Sequence, residues 1–126
     1  MFIVDKKREE AKVDIINGCG CKIGCSTCAV KRRYIDMLSD ANIPCVYWDL
    51  KYSSFSGAVT IKSATQNYAK SIRKNYASGL CIAYAGTPGT GKTFSACTIL
   101  KTALAAGYSA YYTTLTDMAH YLTDFS

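Results

Sequence analysis

The sequence predicts an α/β fold: a parallel-sheet core built round a glycine-rich loop, preceded by a small cysteine-rich helical segment. Three observations carry this. Leu80-Cys81-Ile82-Ala83-Tyr84-Ala85 is a short apolar run suited to a buried parallel strand. Residues 86–93 then read Gly-Thr-Pro-Gly-Thr-Gly-Lys-Thr, which fits G-x-x-x-x-G-K-[ST] at every fixed position. Phe94 to Leu100 continue as the start of a helix. Strand, loop, helix is the order that aims backbone N–H groups and a helix N-terminus at an anion.

The residues of the loop divide the work of holding a nucleoside triphosphate. Gly86, Gly89 and Gly91 let the backbone curl closely round phosphates. Thr87, Pro88 and Thr90 fill the variable positions, with Pro88 restricting the loop, and Phe94 follows as the first residue past the motif. Lys92 is expected to bring a point charge to the β- and γ-phosphate oxygens, and Thr93 a hydroxyl to Mg²⁺. Lys92 and Thr93 are therefore the candidate catalytic residues. Gly86 to Phe94 are the candidate ATP-binding set.

Bulk properties bound the rest. With 126 residues the chain supports one modest core, and 49% apolar residues mark it as globular rather than disordered. No apolar run is long enough to span a membrane, and the N-terminus is charged too soon for a secretory signal, so a cytoplasmic location is expected. Reduced thiols are the rule there, and the seven cysteines call for an explanation other than disulfides. The net charge of +6 is uneven: residues 1–79 carry thirteen Lys/Arg against seven Asp/Glu, and residues 80–126 carry two of each. A basic first half suits nucleic acid or an acidic protein surface, or is simply a solvated face.

In chain order, residues 1–17 form a charged lead-in. Cys19, Cys21, Cys25 and Cys28 follow within ten residues, spaced by Gly18, Gly20 and Gly24. Four thiolates at about 2.3 Å in a tetrahedron are what structural Zn²⁺ takes. An iron–sulfur cluster and unmetallated thiols are the alternatives. Cys45, Cys81 and Cys97 sit in apolar settings and read as small buried hydrophobes. A helix is expected over 29–41, with Val30, Tyr34, Met37, Leu38 and Ala41 at helical spacing, ended by Asn42-Ile43-Pro44. Lys31-Arg32-Arg33 lie near its start, as a partner contact or a solvated face.

Residues 45–59 read as an irregular linker with room for one short strand. Trp48 with Tyr47 and Tyr52 either stacks on a base or seals a domain junction. One helix is expected over 61–77, burying Ile61, Ala64, Thr65, Tyr68, Ala69, Ile72 and Tyr76, and stopped by Ser78-Gly79. After the strand and loop, a helix runs from Lys92 to Ala106 and closes at Gly107. Ser109 to Leu115 is a second strand, and Thr116 or Asp117 caps a last helix in which His120 is a surface residue. The domain division is 1–42 for the zinc-binding segment, 43–59 for the linker and 60–126 for the first part of the nucleotide-binding domain.

Hydrolysis needs more than this loop. No apolar strand ending in paired acids follows Thr93, and no arginine follows Arg73. The reading is the first part of a longer protein, with a mini-protein that binds nucleotide without turnover as the alternative.

The whole pattern resembles the DnaC/DnaI-type helicase loaders, AAA+ ATPases related to the IstB-like transposition helpers. The resemblance spans 18–126. A cysteine cluster precedes a helix; Ala41-Asn42-Ile43-Pro44 with Leu50 and Ser53-Ser54-Phe55 is similar to the segment leading into the family's ATPase domain. Gly79-Leu80, the loop and Gly107-Tyr108-Ser109-Ala110-Tyr111-Tyr112 keep the family's order. It implies an AAA+ core whose first two strands are not neighbours, ATP with Mg²⁺, and a replicative DNA helicase and single-stranded DNA as partners. It also implies a homo-oligomer through the AAA+ domain, and Ile43, Pro44 and Trp48 beside the adenine. A transposition ATPase and a non-catalytic, nucleotide-sensing zinc adaptor are the alternative functions.

Overall fold

The computed structural model describes residues 26–124, with side chains from residue 30 on. Five α-helices make up the regular structure of that span: α1 Ser26–Asp40, α2 Val59–Lys70, α3 Ile72–Ser78, α4 Lys92–Ala105 and α5 Leu115–Asp124. Short 3-10 turns at Cys45–Tyr47 and Tyr52–Ser54 bridge α1 to α2.

The end of α1 builds the core. Its inward face is Ile35, Leu38 and Ala41, joined by Ile43, Trp48, Cys97 and Leu104. Of the expected face, Leu38 and Ala41 are in the core and Met37 packs against it, whereas Val30 is 66% exposed and Ile35 takes the inward place expected of Tyr34, which stays at the rim. Asn42 ends the helix in the left-handed region (φ +57), where an amide side chain is tolerated. Its Nδ2 donates to the Tyr112 carbonyl at 3.0 Å while Tyr112 N–H donates to the Ala41 carbonyl at 2.8 Å. That pair ties the end of α1 to a segment seventy residues downstream. Trp48 is buried to 2% and donates its indole N–H to the Ile43 carbonyl at 2.7 Å. It seals the core; a stacking platform for a base needs an exposed ring face, which Trp48 lacks.

The expected helix over 61–77 is two helices. Ser71 leaves helical geometry (φ −103°, ψ 25°), so α3 takes a new direction after α2. The periodicity that joined them misassigned Tyr76, which is 69% exposed, while Asn75 is buried and donates to the Tyr68 carbonyl at 3.0 Å. Helix α3 ends at Gly79 in the left-handed region, as the Ser78-Gly79 stop predicted. Helix α4 carries Ser95, Cys97, Ile99 and Leu104 inward and packs chiefly against α2.

The α/β expectation is corrected here: among the described residues there is no strand. Residues 80–85 and 108–114 run without a ladder partner, and Leu80 and Cys81 are exposed rather than buried. A strand exists only through a paired neighbour, and no backbone hydrogen bond joins these two runs among the described residues. Ile82, Tyr84, Tyr111 and Tyr112 instead line, with Ala96, Ile99 and Leu100 of α4, an apolar cavity of about 340 Å³. Residues 80–85 are instead held by side chains, including a 2.6 Å hydrogen bond between the Thr65 and Tyr84 hydroxyls. The last helix also begins earlier than expected: Thr114, not Thr116 or Asp117, caps it, its Oγ1 accepting from Asp117 N–H at 3.1 Å.

Among the described residues no helix is long and apolar enough to cross a membrane. Cys19, Cys21 and Cys25 lie outside the described residues, and Cys28 is placed only as backbone in the first turn of α1. Among the described residues no cluster of metal-ligating side chains occurs. Of the three cysteines read as buried, Cys97 is fully so, Cys45 half so, and Cys81 is exposed.

Candidate phosphate-binding site

The loop of residues 86–91 leads straight into α4. Gly91 is the residue before the helix and sits at φ +86°, a left-handed conformation that an L side chain resists. Gly89 has φ +83°. Helix α4 begins at Lys92 with no side-chain cap, and Ser95 N–H to Gly91 O at 3.0 Å closes its first turn. The first-turn N–H groups, with the positive end of the helix dipole, are therefore directed at the loop. Thr93 is exposed at the same end, and Gly86 to Gly89 are open to solvent.

Lys92 folds back over the loop. Its Nζ donates to the Gly86 carbonyl at 2.6 Å and the Thr87 carbonyl at 2.7 Å, with Thr90 Oγ1 at 3.5 Å. Thr90 Oγ1 in turn donates to the Thr87 carbonyl at 2.9 Å. The ammonium group is thus held where an anion seated in the loop would meet it. Two carbonyls and a hydroxyl are its present partners, and phosphate oxygens can displace them, because a full negative charge attracts the ammonium group more strongly than a carbonyl dipole does.

Phe94 belongs to an aromatic cluster beside the loop. Its ring stacks with Tyr47 (centroids 5.8 Å, planes 17° apart) and meets Tyr52 edge-on at 5.3 Å. Phe55 completes the cluster, 4.9 Å from Tyr52 and 6.1 Å from Phe94. The Tyr52 hydroxyl lies 2.7 Å from Ser95 Oγ in a buried hydrogen bond. The segment read as an irregular linker is therefore packed on the start of α4.

Two lysines fasten that segment from different helices. Lys101 of α4 donates to the Tyr47 and Leu50 carbonyls at 2.9 and 2.8 Å. Lys62 of α2 donates to the Ser53 and Phe55 carbonyls, both at 3.3 Å. Burial lowers the Lys101 pKa below its usual range, opposed by the Asp49 carboxylate. Burial also pushes the neighbouring Cys97 thiol up to about 11, so it stays protonated and unreactive at neutral pH.

The outcome is a cavity of about 330 Å³ beside the loop, between Ser54–Gly57 and Gly89–Gly91, with Phe94 at its edge. Phe55 lies so close that a Cβ on Gly91 would come within 2.3 Å of its ring, and one on Gly57 within 2.4 Å. This corrects the expected adenine border. Ile43 and Trp48 are core residues, and the loop's real neighbours are residues 54–57. The sequence held one signal for them, Ser53-Ser54-Phe55, but its spacing did not say which side chain reaches the loop.

A sequence profile of the IstB-like ATP binding protein family matches residues 50–125, which takes in the Phe55 turn, the loop and α5. No curated protein and no solved structure matches the chain.

Proposed function

The chain belongs to the IstB-like ATP binding protein family, and on that premise we propose that it binds MgATP at residues 86–93 and acts as a helicase loader of DNA replication. The observation that carries the nucleotide reading is the seat of Lys92: an ammonium group poised over a glycine loop at an uncapped helix N-terminus. Lys92 would contact the β- and γ-phosphates and Thr93 the Mg²⁺, which supplies charge neutralisation during phosphoryl transfer. The residues present fit a magnesium-bound triphosphate: the Thr93 hydroxyl, exposed beside the loop, offers an oxygen to the cation, and the first-turn N–H groups suit the phosphate oxygens. The cavity lined by Ser54 to Gly57 would receive the nucleoside.

The loader reading places a replicative DNA helicase and single-stranded DNA as partners, with self-association through the AAA+ domain. It assigns Cys19, Cys21, Cys25 and Cys28 to one structural Zn²⁺ that steadies the N-terminal segment. Purified protein is then expected to hold about one Zn²⁺ per chain and to melt at lower temperature after chelation. An apo form that melts identically contradicts the structural-zinc assignment. The family match itself favours a second reading, a transposition ATPase with the same nucleotide site.

A pull-down separates the two. The loader reading expects the chain to retain the replicative helicase of its own cell, more strongly with ATP than without. Retention of a transposase instead, with no helicase in either condition, replaces the loader reading with the transposition one.

A further inference from the structure

A second feature stands at the other end of α4 from the loop. At about 1.5 Å per residue the two ends of this 14-residue helix are about 21 Å apart. Gly107 (φ +91°) reverses the chain there, and Tyr108 packs against Tyr76 of α3, ring centroids 4.4 Å apart and planes 33° apart. The Arg73 guanidinium carbon lies 5.9 Å from the centre of the Tyr108 ring, and its Nη2 donates to the Ala106 carbonyl at 3.2 Å. Arg73, Tyr108 and Tyr76 form one run of flat groups. Beside it opens a cleft of about 310 Å³ lined mainly by Tyr68, Ile72, Tyr76, Leu80, Ala103 and Tyr108.

Two properties say what the cleft fits. The Tyr76 ring is 69% exposed, an unusual state for a large aromatic already committed to a partner ring. The stretch of chain that builds it is cationic: from Leu50 through Thr116 the sequence holds seven Lys/Arg and no Asp or Glu. Arg73 is the cation fixed at the cleft's edge, held against the Tyr108 ring. An apolar slot between aromatic rings with a guanidinium at its edge complements a flat ring joined to a phosphate.

We propose that this cleft is a stacking site for a base of single-stranded nucleic acid, with Arg73 meeting the adjoining phosphate. The inference rests on the reading that the protein acts on single-stranded nucleic acid, and adds where on the chain the strand is gripped. A duplex hides its base faces, so the site selects single strands. An apolar peptide would fill the slot but leave the Arg73 charge unused.

Fluorescence anisotropy of a labelled oligothymidylate with the full chain tests this. Tyr76→Ala is expected to weaken binding about five- to hundred-fold, and Tyr76→Phe to retain it. Arg73→Ala is expected to weaken binding and to flatten the salt dependence by about one phosphate contact. MgATP affinity, measured by calorimetry on the same Tyr76→Ala protein, is expected to be unchanged. If the parent binds the oligonucleotide and Tyr76→Ala binds it equally well, this cleft is refuted while the single-strand reading stands. If the parent binds no oligonucleotide, both fall. Displacement of the oligonucleotide by an uncharged apolar peptide would make the cleft a peptide site and overturn the proposal.

Discussion

Lys92→Ala is expected to lower MgATP affinity by about a hundred-fold or more, with the fold intact. The magnitude follows from what is removed. A hydrogen bond to a charged group contributes about 1.5–3 kcal/mol, and Lys92 would make at least two with phosphate oxygens. Each 1.4 kcal/mol is about tenfold in affinity. The fold is expected to survive because the present partners of Nζ are the Gly86 and Thr87 carbonyls, with the Thr90 hydroxyl at 3.5 Å, and Gly86 and Thr87 are exposed, so water replaces the ammonium at little cost. Titration calorimetry measures the loss, and circular dichroism checks the fold. Unchanged affinity in a folded variant contradicts the assignment of the loop.

Gly91→Ala is expected to damage both stability and nucleotide binding. A side chain at φ +86° costs about 1–2 kcal/mol. The added Cβ also meets Phe55 Cε2 at 2.3 Å. That ring cannot simply swing aside: it is 8% exposed, stacked on Tyr52, and bounded on another side by Gly57. Forcing it to move costs about 1–3 kcal/mol more. Urea denaturation is expected to show a combined loss of about 2–5 kcal/mol. Pairing Gly91→Ala with Phe55→Ala separates the two causes. The double variant is expected to lose less than the two singles added together, because the steric part vanishes with the ring. Strict additivity would mean that Phe55 and the loop are not in contact, and the coupling of residues 54–57 to the phosphate site would fail with it.

The parts of this protein legible in its sequence are those fixed by local chemistry. The loop is the clearest case: glycines at positions that need positive φ, then a lysine and a threonine opening a helix, are read without knowing what surrounds them. The stops at Gly79 and Gly107 are legible for the same reason, since each is a single glycine taking a left-handed turn, and the stop at Asn42-Ile43-Pro44 is legible through its proline. What periodicity alone supplied was less sound. Ser71 breaks the helix over 61–77 at a residue with no strong signal of its own, and Tyr76 and Asn75 exchange their expected surroundings as a result.

The runs at 80–85 and 108–114 have strand composition, yet a strand exists only through a neighbour, and no backbone hydrogen bond pairs them among the described residues. Composition cannot report whether a neighbour is there. The candidate site shows the same division. Gly86 to Thr93 were named from the motif, whereas Phe55 reached the loop through contacts that no spacing rule encodes. Lys62 and Lys101 holding the backbone of residues 47–55 were equally invisible, because their partners are carbonyls, which every residue carries.

The most direct measurement of the central claim is a backbone amide NMR titration of the chain with MgATP. A nucleotide held by the loop and the start of α4 is expected to shift the amide signals of Gly89, Gly91, Lys92 and Thr93 most, as their N–H groups take up phosphate oxygens. Saturating MgATP that leaves those four signals in place, whatever else it moves, would contradict the account.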